Sequence, residues 1–266
     1  MKSGFTLLLF IYPALKLRRL FYAVYFIMKS VASLSLFALV LISFGCKKEE
    51  IKLEVSPSEI AVYTEGTQQI TANVDEVQYS SQDEFYASVD PTGLVTGNKV
   101  GSTEIHVSSS AGTARIPVTI MSKYSLYPDL DGLIGKGLSD ITKVMGSNYT
   151  SSTASTGDPM YTFMNPTSYA SGIMFILKNN VCSSILVAVP TTHTSMLTKH
   201  LIERYSIAGT QNGYYFFLNH DKKVVIGLSV YSASLLAVLY MENTSTKAVE
   251  TIDSSIIEEY RSIYVE

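Results

Sequence analysis

From Leu133 to Met241 the hydrophobic pattern passes twice through the same order of elements. Leu138, Ile141, Val144 and Met145 fall at helical spacing, with Ser139 as the expected N-cap and Gly146 as the expected stop. Three apolar runs follow, Met160–Met164, Gly172–Leu177 and Val181–Val189. A second amphipathic stretch, Thr194–Tyr205, then carries Leu197, Leu201 and Ile202, and Tyr214–Leu218, Val224–Tyr231 and Leu235–Met241 are three more strand-like runs. The halves can be laid over each other. Ile141-Thr142-Lys143 answers Leu197-Thr198-Lys199, Tyr149 answers Tyr205, and Tyr161-Thr162-Phe163-Met164-Asn165 answers Tyr215-Phe216-Phe217-Leu218-Asn219. The displacement is 56 residues in the helix (197 − 141) and 54 in the strand (215 − 161). Each unit has one helix stripe and one sheet face to bury. The pattern therefore predicts an α+β domain over residues 123–266, made of a duplicated α-β-β-β unit joined edge to edge with its helices on one face. Ile256, Ile257, Tyr260 and Ile263 add a helical stripe within Ile252–Tyr264, expected as a C-terminal helix.

This tandem layout, with the piece Gly137-Leu138-Ser139-Asp140-Ile141 leading to Met145-Gly146, resembles the fold of the beta-lactamase inhibitor protein and of small outer-membrane assembly lipoproteins. No functional residue carries over from that resemblance, and a shared layout is weak ground for a shared function.

Residues 51–121 read differently. Short period-2 or apolar runs recur at Ile51–Val55, Glu59–Tyr63, Gln69–Val74, Phe85–Val89, Ser102–Val107 and Thr113–Ile120, separated by turn residues such as Ser56-Pro57-Ser58 and Asp90-Pro91-Thr92-Gly93. No helical stripe competes, so an all-β sandwich is expected. Several spaced pieces carry a family resemblance: Leu53-Glu54-Val55-Ser56-Pro57, Glu65-Gly66-Thr67, Gln78-Tyr79-Ser80-Ser81-Gln82-Asp83, and Thr92-Gly93-Leu94-Val95-Thr96-Gly97 continuing through Gly101-Ser102-Thr103-Glu104-Ile105. The segment resembles a group 2 bacterial immunoglobulin-like domain of the intimin/invasin type. That resemblance implies an Ig-like sandwich serving as a spacer or adhesion unit. Tyr79 stands where the family often has Trp. Gly93 and Gly97 suit left-handed turn positions.

Ser30–Gly45 is an apolar run preceded by Met28-Lys29, the layout of an export signal. It is shorter than the roughly 20 residues a spanning helix needs. Ser43-Phe44-Gly45-Cys46 resembles the lipobox of bacterial lipoproteins, which implies acylation of Cys46 and attachment to a membrane through several acyl chains. Lys47-Lys48-Glu49-Glu50 resembles the surface-export tether of Bacteroidetes lipoproteins; as composition alone it is a solvated linker. Residues 1–45 are thus a signal region and 46–50 a lipidated tether. Residues 1–27 hold a second apolar stretch broken by Lys16, Arg18 and Arg19. The expected initiation site is Met28; the alternative is a genuine N-terminal membrane helix.

The chain of 266 residues has 20 basic and 23 acidic side chains and a net charge of −3. Five basic residues and no acidic ones precede Cys46, leaving 15 basic against 23 acidic, a net of −8 for residues 46–266. That balance argues against nucleic acid as a partner, since phosphate binding needs a basic face. Of the two cysteines, Cys46 is assigned to lipid and Cys182 lies in an apolar run, a small buried hydrophobe without a disulfide partner.

No hydrolase elbow, phosphate loop or His-Glu-x-x-His helix occurs. His193 and His200 are seven residues apart, but nothing local supplies a third zinc ligand; His220-Asp221 and Asp129-Leu130-Asp131-Gly132 read as turns. No catalytic residue, metal site or cofactor is expected. The 18 tyrosines remain. Tyr161, Tyr214 and Tyr215 are candidates for a binding surface if they share an exposed face; otherwise such tyrosines fill a sheet–helix core. The expected function is that of a non-enzymatic outer-membrane lipoprotein at the cell surface. Its Ig-like spacer would present a C-terminal domain for adhesion to protein or glycan. The alternative is an envelope inhibitor or assembly factor docking on a partner protein through the α-β-β-β sheet.

Overall fold

The structure, a computed structural model, describes residues 51–211 and 213–244. The signal region, the Met28 start, Cys46 with its tether and the stripe at 252–264 lie outside the described residues.

The first domain is a sandwich of short strands: β1 Val55–Ser56, β2 Ile60–Tyr63, β3 Thr67–Gln69, β4 Thr71–Ala72, β5 Gln78–Ser81, β6 Ala87–Val89, β7 Leu94–Gly97, β8 Gly101–Ser109 and β9 Gly112–Met121. One sheet runs β2-β9-β8-β5, a second β3-β7-β6, and β1 pairs with β4. Alternation in β9 sends Ile116, Val118 and Ile120 inward, where they meet Ile105 and Val107 of β8, Val95 of β7 and Ile60 of β2. Strands β5 and β7 lie outside the runs that the period-2 pattern marks, on two of the pieces that carry the family resemblance. β5 is mostly polar and extends because it pairs with the long strand β8, so tertiary pairing overrides local preference.

Gly93 has φ 84°, as its place in the Asp90–Gly93 turn requires, and a Cβ there would sit 2.8 Å from the Tyr79 ring. The expectation of a left-handed Gly97 is corrected: it has no positive φ, and is small because a Cβ would lie 2.9 Å from the Tyr63 carbonyl. Gly101, at φ 146°, lies directly under the Tyr86 ring. Gly101→Ala combines backbone strain with displacement of that ring, and is expected to cost about 2 kcal/mol in a urea melt.

The second domain contains α1 Leu138–Met145, β10 Thr150–Thr153, β11 Pro159–Met164, β12 Gly172–Lys178 and β13 Val181–Pro190, then α2 Thr194–Ile202, β14 Ser206–Gln211, β15 Tyr214–Leu218, β16 Val224–Val230 and β17 Leu235–Glu242. The eight strands form one antiparallel sheet in the order β10-β11-β12-β13-β17-β16-β15-β14. The last strands of the two units meet in the middle, and each unit fans outward to its first strand. Corresponding residues play the same part: Ile141 and Leu197, Phe163 and Phe217, and Ile173 and Ile226 are all buried in one core.

Each unit has a fourth strand beyond the three that the pattern predicts. β10 reads Thr-Ser-Ser-Thr and is wholly exposed, while β14 is largely polar with a register shift at Ile207/Gly209. Both are the outer strands of the sheet among the described residues, where hydrophobic alternation is not needed. Helix α1 is capped by Gly137 rather than Ser139 and ends at Gly146, φ 82°. The helices pack on one face of the sheet, with Leu126, Tyr127 and Leu130 from the segment leading into the domain.

Candidate binding surface

Helix α2 ends where the two domains meet, and the Ig-like domain completes that end. The last carbonyls of a helix lack partners within it. Here Lys99 Nζ donates to the Ile202 carbonyl at 2.5 Å, and the Val100 amide donates to the Glu203 carbonyl at 2.8 Å. A lysine at this place also complements the negative end of the helix dipole.

The Glu203 side chain turns back into the same junction. Its carboxylate accepts from the Thr64 hydroxyl at 2.5 Å, the Ser122 hydroxyl at 2.8 Å, and the amides of Lys123 and Tyr124 at 3.1 and 3.0 Å. Burial opposes its charge, yet these donors together hold its carboxyl below the ordinary glutamate value. Arg204 beside it donates to Asp129 at 2.5 Å and to the carbonyls of Tyr124 and His200. Across the junction, His220 Nε2 lies 2.5 Å from Asp83, and its ring stacks on Tyr86 and meets Phe85 edge-on. His220 is therefore a junction residue as well as part of the Asn219–Lys222 turn. The Ig-like domain and the sheet domain are joined by a network of polar and aromatic contacts rather than by a bare linker. The charged pair Glu203-Arg204 directly after a helical stripe was the only sign of it in the sequence.

The three candidate tyrosines do not come together. Tyr161 is on β11 and Tyr214 and Tyr215 are on β15, in opposite wings of the sheet. Tyr161 is half-buried under Tyr149, ring centroids 5.3 Å apart, and Tyr149 also covers Phe163. Its counterpart in the second unit is Tyr215. There the ring answering Tyr149 is Tyr205, which has turned into the core to meet Tyr240 and to donate to Asp131 at 3.2 Å. Tyr215 is left 58% exposed. Ile207 on the adjoining strand pairs with Phe217 and so lies on the same face, 68% exposed. Tyr214 points to the other face and stacks on Phe216, centroids 6.0 Å apart. Tyr215 and Ile207 thus form an apolar edge with a phenol at its rim, and neither Ile207 nor the asymmetry between the halves is visible from composition.

His200, His193 and Cys182 have packed surroundings. His200 is fully enclosed, its Nδ1 3.1 Å from the Tyr124 carbonyl, and burial with the nearby Arg204 charge lowers it to about 4. His193 meets Tyr169 edge-on. Burial pushes the Cys182 thiol up to about 12, so it is a poor nucleophile. Among the described residues, no group of three His, Cys, Asp or Glu side chains is placed to hold a metal ion.

Comparison with known proteins bears on the first domain. Residues 52–120 match the family of bacterial Ig-like domains, group 2. Similar solved structures include an intimin mutant from EHEC O157:H7 (17% identity, 50% of this chain and 90% of that chain, TM-score 0.23). Domains 5–6 of the S-layer protein SbsC align at 14% identity over 74% of this chain and 86% of that one, with TM-score 0.24. A SusE-like surface-located polysaccharide-binding protein from the heparin utilisation locus of Bacteroides thetaiotaomicron aligns at 12% identity over 71% and 34%, with TM-score 0.21. No curated protein matches the chain.

Proposed function

We propose that this chain is a non-enzymatic cell-envelope lipoprotein, held in the outer membrane through acylated Cys46 and facing the cell surface. The Ig-like domain carries the sheet domain outward, and the sheet domain binds a protein or a glycan. The observation that supports this reading best is the exposed pair Tyr215 and Ile207, placed on a sheet edge next to a domain of a family that recurs in spacers and adhesins. Tyrosine offers a broad face for stacking on a sugar ring or a peptide and a hydroxyl for hydrogen bonding, at small entropic cost. The net charge of −8 on residues 46–266 favours neutral or basic partners over acidic ones.

The test is binding of the purified chain, residues 47–266, to a panel of immobilised neutral and basic polysaccharides and surface proteins. Tyr215→Ala with Ile207→Ser is expected to leave the melting temperature unchanged, because both side chains are exposed, and to weaken the binding at least about tenfold. Unchanged binding by the double variant would remove this edge from the account. The second reading, an inhibitor or assembly factor docking through the sheet, rests on the outer strands β10 and β14, whose outer sides carry no partner strand among the described residues. Binding that survives the double variant but is lost on introducing proline in β10 would support that reading.

A further inference from the structure

The Ig-like domain carries a cleft of about 470 Å³ on the outer face of its larger sheet, lined by Gln82, Asp83, Ser102, Thr103, Glu104 and Pro117. Its place follows from the strands. In β8, Ile105 and Val107 are buried in the core, so Ser102 and Glu104, alternating with them, stand on the outer side. The register puts Pro117 of β9 opposite Glu104. Just past β5, the Gln82 amide donates to the Glu104 carbonyl at 2.8 Å, which ties the Gln82-Asp83 corner against the sheet as a wall. Both domains hold Asp83 in place: its carboxylate accepts from the Phe85 amide at 3.0 Å and faces His220 Nε2 of the sheet domain at 2.5 Å. The volume lies within the roughly 300–1,000 Å³ of ordinary ligand sites.

We propose that this cleft binds a neutral saccharide, as a site on the Ig-like domain separate from the Tyr215–Ile207 edge. The lining selects that ligand. Five of the six side chains are polar, so an apolar molecule would strip them of water and return no hydrogen bonds. The Asp83 and Glu104 carboxylates repel an anion. A cation fits little better, because each carboxylate already has basic groups beside it. His220 stands at Asp83, and Glu104 has Arg115 Nη1 at 3.6 Å and His106 Nε2 at 3.7 Å. A neutral polyol meets neither conflict. Its hydroxyls donate to the carboxylates and accept from the Gln82 side-chain amide, while the Ser102 and Thr103 hydroxyls can do either. The two oxygens of one carboxylate suit two hydroxyls on adjacent ring carbons, and Pro117 offers a C–H surface to the ring. Thr103 gives an independent sign. Its Oγ1 is shut off from water and has no hydrogen-bond partner, a costly state for a hydroxyl. A turn about χ1 towards a sugar hydroxyl relieves it. The site does not depend on the Tyr215–Ile207 edge, so the failure of one is read separately from the failure of the other.

The test follows backbone amide resonances of residues 47–266, both domains together, during titration with maltotetraose, cellotetraose and xylotetraose. A heparin tetrasaccharide and tetralysine serve as anionic and cationic controls. The expected result is saturable movement of the amides of Gln82, Asp83 and residues 102–104 with at least one neutral tetrasaccharide and with neither control. Gln82→Ala with Ser102→Ala is expected to weaken that binding at least about tenfold and to leave the melting temperature unchanged, because both side chains are exposed. Tyr215→Ala with Ile207→Ser is expected to leave it as it is. Should the first pair disturb folding, Glu104→Gln, which keeps the shape and removes the charge, takes its place with the same expectation. Movement of these amides with tetralysine alone or with the heparin tetrasaccharide alone overturns the proposal, as does no movement with any probe or equal binding by the cleft variants. A saccharide that moves the amides of Ile207 and Tyr215 and not those of the cleft also overturns it, and leaves the edge reading standing.

Discussion

Glu203→Ala is expected to destabilise the protein by about 3–5 kcal/mol, the usual cost of removing one partner from a buried charged network. The carboxylate is the shared acceptor for Thr64, Ser122 and the amides of Lys123 and Tyr124. Its loss leaves several enclosed donors without a partner, each at a cost of about 1–3 kcal/mol, and removes the second of the two carboxylates beside Arg204, 3.8 Å away. The effect goes beyond its size. Thr64 belongs to the Ig-like domain and Glu203 to the sheet domain, so the residue couples their unfolding. In urea, the native chain is expected to unfold in one transition and the variant in two, followed separately by near-ultraviolet circular dichroism and by exchange of β8 amides. Glu203→Gln keeps the shape and part of the acceptor capacity, and is expected to fall between. A single unshifted transition in Glu203→Ala would show that the junction contributes nothing to stability.

Acid is expected to destabilise the protein through His200, by about 2–3 kcal/mol between pH 6.5 and pH 4.5. The sign follows from the direction of the shift. Burial and the Arg204 charge lower His200 from 6.5 to about 4 in the folded chain. The unfolded chain therefore binds a proton that the folded chain refuses. The contribution is complete above pH 6.5 and is lost as the pH falls towards 4. Glu203 acts below that window: its folded value is lowered, so its contribution is present above the ordinary glutamate value and is lost in stronger acid. His200→Asn keeps a donor towards the Tyr124 carbonyl without a titrating ring. Denaturation curves at pH 7 and pH 4.5 are expected to diverge for the native chain and to stay closer together by that 2–3 kcal/mol in the variant. Equal acid sensitivity in both would locate the effect elsewhere.

The fold class was legible in the sequence for a physical reason: each sheet buries a layer, and burial writes a periodicity. The inward set of β9 and the paired stripes at Ile141 and Leu197 could be read directly. What escaped was held by partners distant in the chain. β5, β10 and β14 are polar strands that extend because a neighbour offers hydrogen bonds, and no local pattern marks them. The strand order of the sheet follows from which edges meet, and the central pairing of β13 with β17 has no counterpart in local sequence. The site was less legible still. Tyr161 and Tyr215 are the same position in two similar units, and only the orientation of Tyr149 and Tyr205 decides which is covered. The junction at Glu203 needed the fold, since its donors come from residues 64 and 122–124.

The proposed role stands or falls on where the sheet domain faces. The deciding measurement is protease shaving of intact cells that express the full chain, followed with an antibody to residues 123–244. The Cys46→Ala chain serves as the unanchored control. The expected result is removal of the domain from intact cells carrying the native chain, and no anchored domain at all in the control. Protection of the native chain until the outer membrane is broken would contradict surface display and leave a periplasm-facing inhibitor or assembly factor in its place.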